Sequence, residues 1–519
     1  MTRSRSRLTA GACSAAVAVL LTACGSTVQT AGGQVDGSGL AAGVSLGESA
    51  GTAGTTGGEF GTGAAGGAVQ PDGNVTGGGA EGSSSAPGST GGGPTTGTSG
   101  GGTTGTSGAT GVGTGKRAPI TIGFVIVDYA KAVSSLGYNP PSDQGTAEQY
   151  IKAYVKAYNT QGGFAGRQIK PLFFVVDGTA ANYDTAFEAA CAYMTQDNKA
   201  EIVATWGILN LGFSQCLLKA GVADINGMSF NFDKSTLAKL PNVFNPNGLT
   251  HDQISASTID AAVGQGWLSK TDKLGILLGG CPEHEAIFRQ VVEPRLKRLG
   301  IAYTTVTPYQ CPKGFADVGS MSSGVQNAVL RFRSEGVTTV MYLAYVENVV
   351  HILFVPQADS QDYVPKYLLN TNVRLAQGIA AGNFPDRQLP GMRGVGWNPI
   401  TDLWAFPAPK SAPRTACVDK LKGAKEAPPM TAFNQDLAMH ICSDFQLMSA
   451  LLGITGGSSS LNGLRAAAPQ VGQSYGSAMT WGATDFRDQQ GPEQAAPFSY
   501  LTSCKCVRFV GGPAALGRP

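Results

Sequence analysis

Gly472-Gln473-Ser474-Tyr475-Gly476 has the spacing of a hydrolase nucleophile elbow but lacks its surroundings. An elbow needs a strand before the serine, a helix after it, and an acid and a histidine later in the chain. Here a helical pattern precedes Ser474, and the last histidine is His440. The same pattern recurs at Gly47-Glu48-Ser49-Ala50-Gly51, so it arises cheaply in a Gly/Ser-rich chain. Gly113-Thr114-Gly115-Lys116 approaches a phosphate loop, but Thr110 stands where the first glycine is needed and Arg117 follows the lysine. His251, His284, His351 and His440 share no metal-ligand spacing, and Cys281-Pro282-Glu283-His284 has no second paired motif beside it. Neither a catalytic set nor a metal or other cofactor is expected, and the chain does not read as an enzyme.

The cysteines carry clearer chemistry. Arg3, Arg5 and Arg7 precede an apolar run from Leu8 to Leu21 and then Leu21-Thr22-Ala23-Cys24. That order is a secretory signal over 1–23, too short to span a bilayer as a helix. Its last four residues resemble the lipobox of bacterial lipoproteins, which implies cleavage before Cys24 and acylation of its thiol. Eight further cysteines lie in the body: Cys191, Cys216, Cys281, Cys311, Cys417, Cys442, Cys504 and Cys506. An even number in an exported chain favours disulfides, although eight cysteines allow 105 pairings. Pairing of sequence neighbours is the expectation: 191–216, 281–311, 417–442 and 504–506.

Residues 24–116 read as a tether, since 25–115 hold no Lys or Arg and a single aromatic, Phe60. Such a segment buries too little apolar surface to offset its chain entropy. As a Gly-rich coil it reaches roughly 50–57 Å. The net charge of +2 is spread along the body, so no basic block points to nucleic acid. No stretch beyond the signal reads as long and apolar enough to cross a membrane.

The elements that must position any site begin at Ile120-Thr-Ile-Gly-Phe-Val-Ile-Val127. Ala147, Tyr150, Ile151, Tyr154, Val155 and Tyr158 then recur at helical spacing, and Gly162-Gly163 ends that helix. Strands are predicted at 172–177, 202–206 and 225–230, with helices at 182–197 and 210–220. The pattern restarts with a helix at 252–266 and strands at 273–278, 302–307, 339–345 and 367–370. Helices are predicted between them at 283–299, kinked at Pro294, and at 321–334 and 347–358. Helices near 414–423, 433–453 and 460–468 and a strand pair at 477–482 and 498–510 close the chain. Continuous apolar strands alternating with helices predict an α/β fold with doubly wound parallel sheets. About 400 residues of body exceed one core, so two lobes are expected.

Over about 117–510 this pattern resembles the type I periplasmic binding proteins, in particular their branched-chain amino-acid-binding branch. The opening strand ITIGFVIV, the helix ending at Gly162-Gly163, and Gly166-Arg167-Gln168-Ile169 leading into the second strand carry the resemblance. So does SYLTSCKCVRF near the end. The resemblance implies three crossings between lobes, with lobe one at 117–251 and 399–497 and lobe two at 252–398 and 498–519. It implies a receptor that traps a small polar molecule (an amino acid, an amide or a small carboxylic acid) for an ABC-type membrane permease. The alternative is a ligand sensor or surface-interaction lipoprotein on the same fold. Either would sit on the extracytoplasmic face of a bacterial membrane, held by Cys24.

Ligands of open α/β sheets bind beyond the carboxyl ends of the strands. In lobe one those loops carry Tyr129, Thr205, Trp206, Ser229 and Phe230; in lobe two, Glu283, Tyr345, Glu347 and Asn372. Hydroxyls suit a carboxylate, an acid suits an ammonium, and aromatics cover apolar parts. Amino-acid binders of the family place an acid on the loop where this chain has Asn370-Thr371-Asn372, which weakens an amino-acid assignment.

Overall fold

The computed structural model describes residues 117–135, 145–207, 210–227, 232–344, 347–472, 475–482, 484, 486–487 and 490–516. The expected signal, Cys24 and the tether lie outside the described residues, as do Ser229, Phe230, Tyr345 and Ser474.

Two sheets form. The first holds β1 (Ile120–Val127), β2 (Ile169–Val176), β3 (Ile202–Trp206), β4 (Ala223–Asn226) and β5 (Val243–Phe244), in the order β2-β1-β3-β4-β5 and parallel throughout. The second holds β6 (Leu274–Gly279), β7 (Tyr303–Tyr309), β8 (Thr339–Leu343), β9 (Lys366–Asn370), β10 (Met392–Gly396), β11 (Gln494–Leu501) and β12 (Cys506–Phe509). Its order is β12-β11-β10-β9-β8-β6-β7, with β13 (Ala514–Ala515) paired to β11. Strands β6 to β10 are parallel, as expected, but β11 runs antiparallel to β10 and β12, so this sheet is mixed.

Helices cover both faces of each sheet, because strands apolar on both sides leave two surfaces to bury. In lobe one, Ala147–Thr160, Ala432–Ile454 and Leu461–Val471 pack on one face, and Tyr183–Ala192 and Leu211–Lys219 on the other. In lobe two, Val318–Ser334 and Glu347–Ser360 cover one face; His251–Gly264 and the helical run 282–299 cover the other. Capping boxes start two of these helices: Thr146 with Gln149, and Thr250 with Gln253. Gly162 and Gly163 both take positive φ, which is why glycines end the first helix.

The four neighbour disulfides are all present. The first three close separations of 25, 30 and 25 residues, each stabilising by about 3–4 kcal/mol in the chain-entropy account.

Four expectations need correction. The segment 477–482 is irregular, and β11 begins at Gln494, ahead of the boundary expected at 497–498. The helical run 282–299 changes at a π-helical turn, Phe288–Val292, with Pro294 in the first turn of the segment that follows. The π-helical turn lies directly ahead of Pro294, whose ring and missing N–H disrupt a regular i→i−4 ladder. Strand β4 stops at Asn226, short of Phe230. Finally, Ala432–Ile454 is long and apolar enough to cross a membrane by length and composition, contrary to the sequence reading. It is the core helix of lobe one, with Phe445 stacked 5.8 Å from Phe124 and the polar side chains Asp436, His440 and Asp444 buried on it.

The chain crosses between sheets after β5, after β10 and before β11. These crossings meet at Asn245 and Asn247, both fully buried. Asn245 forms an isolated parallel bridge with Gln490, and its carbonyl accepts from Gly491 N–H at 2.8 Å. The Asn247 carbonyl accepts from Trp397 Nε1 at 3.0 Å and Asn398 Nδ2 at 3.1 Å. Its side chain donates to the Gly227 carbonyl and accepts from Ser477 Oγ, each at 2.8 Å.

Candidate ligand-binding cleft

The loops that leave the carboxyl ends of the two sheets touch one another. After β5, Asn247 meets Trp397 and Asn398, which follow β10. After β9, Arg374 forms an ion pair with Asp436 on the core helix of lobe one. After β2, the turn at 178–183 meets the segment 313–315 that follows β7. The loops at the carboxyl ends of the two sheets therefore meet one another.

On the lobe-one side, Trp206 ends β3, is nearly fully buried, and stacks 5.7 Å from Phe124. Its indole lies against the Asp444 carboxyl, and the two side chains together crowd Gly227. Thr205 points inward: its hydroxyl donates to Asp224 at 2.9 Å, where Ser214 also donates at 2.7 Å. Burial raises Asp224 to about 6 in spite of those two bonds. Asp444 is pushed well above the usual carboxylate range by burial and by the neighbouring Asp224. Tyr129 opens a short helix, Tyr129–Ser135, directly after β1.

On the lobe-two side, Glu347 begins the helix that follows β8 and is fully buried. Burial raises its carboxyl to about 8, against weaker opposing hydrogen bonds from the Asn370 side chain and the Ala344 backbone. Its charge would in turn raise the Tyr309 and Tyr342 phenols, already driven up by burial. Tyr342 is fixed through a 3.0 Å bond between its hydroxyl and His351 Nδ1. Among the described residues, one Glu347 oxygen, Oε2, and both polar atoms of the buried Asn372 amide have no hydrogen-bond partner. Glu283 lies half-buried in the first turn of Pro282–Ile287, beside the Cys281–Cys311 disulfide.

Sequence reasoning missed Asp224 on β4 and Asp444 on the core helix, and the cluster at the lobe junction. There Asp436 accepts from Arg374 and from the Thr401 hydroxyl, with His440 Nδ1 3.7 Å from its carboxylate. Arg374 and His440 hold Asp436 below the ordinary carboxylate range although burial opposes them. Asp402, fully buried beside Thr371 and Asn398, is driven well above it. Only the placement of Asp436 and Asp444 eight residues apart on one helix marked them in advance, and acids at helical spacing ordinarily mean a solvated face.

No family model and no curated protein matches the chain. Solved structures do. A solute-binding protein of an ABC transporter from Rhodopseudomonas palustris BisB5, in complex with 3,4-dihydroxybenzoic acid, superposes with a TM-score of 0.54 at 14% identity, over 77% of this chain and 98% of that one. A fatty-acid ABC transporter substrate-binding protein from Thermomonospora curvata gives 0.53 at 13%, over 76% and 92%. A leucine-binding protein from Thermotoga maritima gives 0.53 at 11%, over 76% and 99%. The fold is that of the type I periplasmic solute-binding proteins of ABC transporters.

Proposed function

We propose that this chain is an extracytoplasmic receptor whose lobes close on a small polar molecule for delivery to an ABC-type permease. Lobe one takes in 117–251 and 399–493, and lobe two 252–398 and 494–519, with the last boundary at the start of β11. An acylated Cys24 holds it to the bilayer, and the Gly-rich tether gives it reach. The observation that carries this reading is the meeting of carboxyl-end loops from both sheets, at the chain crossings and around buried polar groups. The neighbours named above, which share the fold, bind a dihydroxybenzoate, a fatty acid and leucine by their descriptions; their ligands guide the choice of test compounds.

Glu347 and Asn372 narrow the cargo. A carboxyl raised to about 8 is largely protonated at neutral pH and offers little to an ammonium group. An amide with donor and acceptor both unengaged suits a carboxyl or carboxamide group. Small carboxylic acids and amides therefore rank above free amino acids. A thermal-shift panel on the full chain tests this, with 4-hydroxybenzoate, 3,4-dihydroxybenzoate, leucine and simple amides. A ligand at a hundred times its Kd adds about 2.7 kcal/mol to the folded state. A melting temperature unmoved by every solute would sink the receptor reading; a shift with leucine alone would sink the ranking.

A further inference from the structure

The far edge of the cleft carries a contact that chain connectivity does not explain. Strand β2 is the edge strand of the first sheet and β7 that of the second, each opposite the strands next to the crossings. The turns that follow these two edge strands are joined by two backbone hydrogen bonds. Tyr183 N–H donates to the Lys313 carbonyl at 3.1 Å, and Phe315 N–H donates to the Ala180 carbonyl at 3.0 Å. Each lobe gives one donor and one acceptor. Tyr183 is the first residue of its helix, so its N–H has no intrahelical partner to compete for it.

Each half is shaped within its own lobe. In lobe one, Asp177 accepts from Thr179 N–H at 2.9 Å and from its hydroxyl at 2.7 Å. Tyr183 Oη ties back to the Gly178 carbonyl at 2.7 Å, and Asn182 caps the helix behind. In lobe two, the Cys281–Cys311 disulfide pins the start of the segment to the end of β6, and the Asp317 carboxylate accepts from Lys313 N–H at 2.6 Å. Two preformed turns dock with little ordering cost, which is what a reversible contact requires.

Gly314 stands between them, buried and extended, with φ −175°. A Cβ there would overlap the carbonyl of Ala181 and press on that of Ala180. All three heavy atoms nearest to that position belong to lobe one. Backbone geometry thus permits any residue at 314, and only the closed approach of the lobes demands glycine.

We propose that residues 178–183 and 311–317 form a clasp that shuts the mouth of the cleft, with Gly314 as its clearance. The clasp rests on the receptor reading only for what the cleft encloses. Two backbone hydrogen bonds hold closure weakly enough to release and strongly enough to bias the open–closed balance.

The test is amide hydrogen exchange at Tyr183 and Phe315 in the full chain and in Gly314→Val, with and without millimolar leucine or 4-hydroxybenzoate. The expected result is protection of both amides in the wild type under at least one condition. In Gly314→Val both should exchange faster on the order of tenfold or more, with β1 and β8 unchanged. Protection that survives the substitution, or amides that exchange at solvent rates in the wild type under every condition, overturns the clasp. Should the valine variant misfold, Gly314→Ala makes the same test with a single methyl. The outcomes separate from those of the receptor reading. Protection with no solute bound leaves the clasp standing and the receptor failing; solute binding without protection does the reverse.

Discussion

At the edge where the chain crosses, beyond β5 and β10, the lobes share covalent chain and a set of buried amides centred on Asn247. At the opposite edge, beyond β2 and β7, they meet through backbone groups of two short turns with a glycine between them. At the first edge Asn245, Asn247, Trp397 and Asn398 are all fully buried. A buried amide that loses its partner costs about 1–3 kcal/mol, so this junction stays made and bends as a unit. The second edge can exchange each of its two hydrogen bonds for one with water at small net cost. The difference assigns the permanent joint to one side and the releasable one to the other, the arrangement a hinge closure needs.

The comparison predicts unequal costs. Trp397 is wholly buried at the crossing and donates to the Asn247 carbonyl. Trp397→Ala should lower stability by about 3–5 kcal/mol, the range for truncating a buried aromatic, as read by denaturant midpoint. A loss below 1 kcal/mol would mean that the crossing edge is not the firm joint. On the mouth side the largest effect should come from the covalent pin. Cys281→Ser with Cys311→Ser should cost about 3–4 kcal/mol in the chain-entropy account, and should also free the segment 311–317 to exchange its amides faster.

Asn247→Ala keeps the backbone carbonyl but strips two side-chain bonds, leaving the Gly227 carbonyl and the Ser477 hydroxyl buried without them. About 2–3 kcal/mol of destabilisation is expected. A loss of that size with unchanged Tyr183 exchange would confirm that the two edges act separately.

What the sequence made legible follows periodicity. β1 and β3 appear at the predicted bounds, and the helix ending at Gly162-Gly163 appears because its apolar spacing and its terminating glycines agree. Val243–Phe244 and Met392–Gly396 escaped notice, since two residues, or a stretch interrupted by Gly394 and Gly396, carry no period to detect. The segment 477–482 looked like a strand, yet Ser477 is engaged with Asn247 and Ser443, and its backbone follows those bonds. Asn247 and Gly314 were invisible for a related reason: a lone polar residue or a glycine in a loop signals its role only through partners distant in sequence. Of the predicted cleft residues, Glu347 and Asn372 gained the most definition, because their burial without full partnering is a tertiary property.

Glu347 lies between the two edges, and its effect depends on pH. Its folded value, about 8, stands above the ordinary 4.5. Below pH 4.5 both states hold the proton and stability is unaffected. As pH rises from 4.5 to 8 the unfolded chain releases a proton that the folded chain retains, so stability falls. Glu347→Gln should therefore match the wild type at pH 4 and exceed it at pH 8, by on the order of 4 kcal/mol. Parallel pH–stability curves for the two proteins would show that Glu347 is charged in the fold and would reopen an ammonium-bearing cargo.

The smallest effect tests the mouth edge from the lobe-one side. Asn182 accepts from Asp184 N–H at 2.8 Å and caps the helix whose first N–H reaches Lys313. Asn182→Ala should cost about 1 kcal/mol of stability, the ordinary price of a lost N-cap. The informative reading is where that loss appears. A turn shaped by its own lobe should loosen locally, speeding exchange at Tyr183 while leaving Phe315 slower than in Gly314→Val. Equal acceleration of both amides in the two variants would mean that the turn keeps no shape of its own and that lobe two imposes it. The mouth would then be a single induced contact, not two preformed halves, and its contrast with the crossing edge would rest on hydrogen-bond chemistry alone.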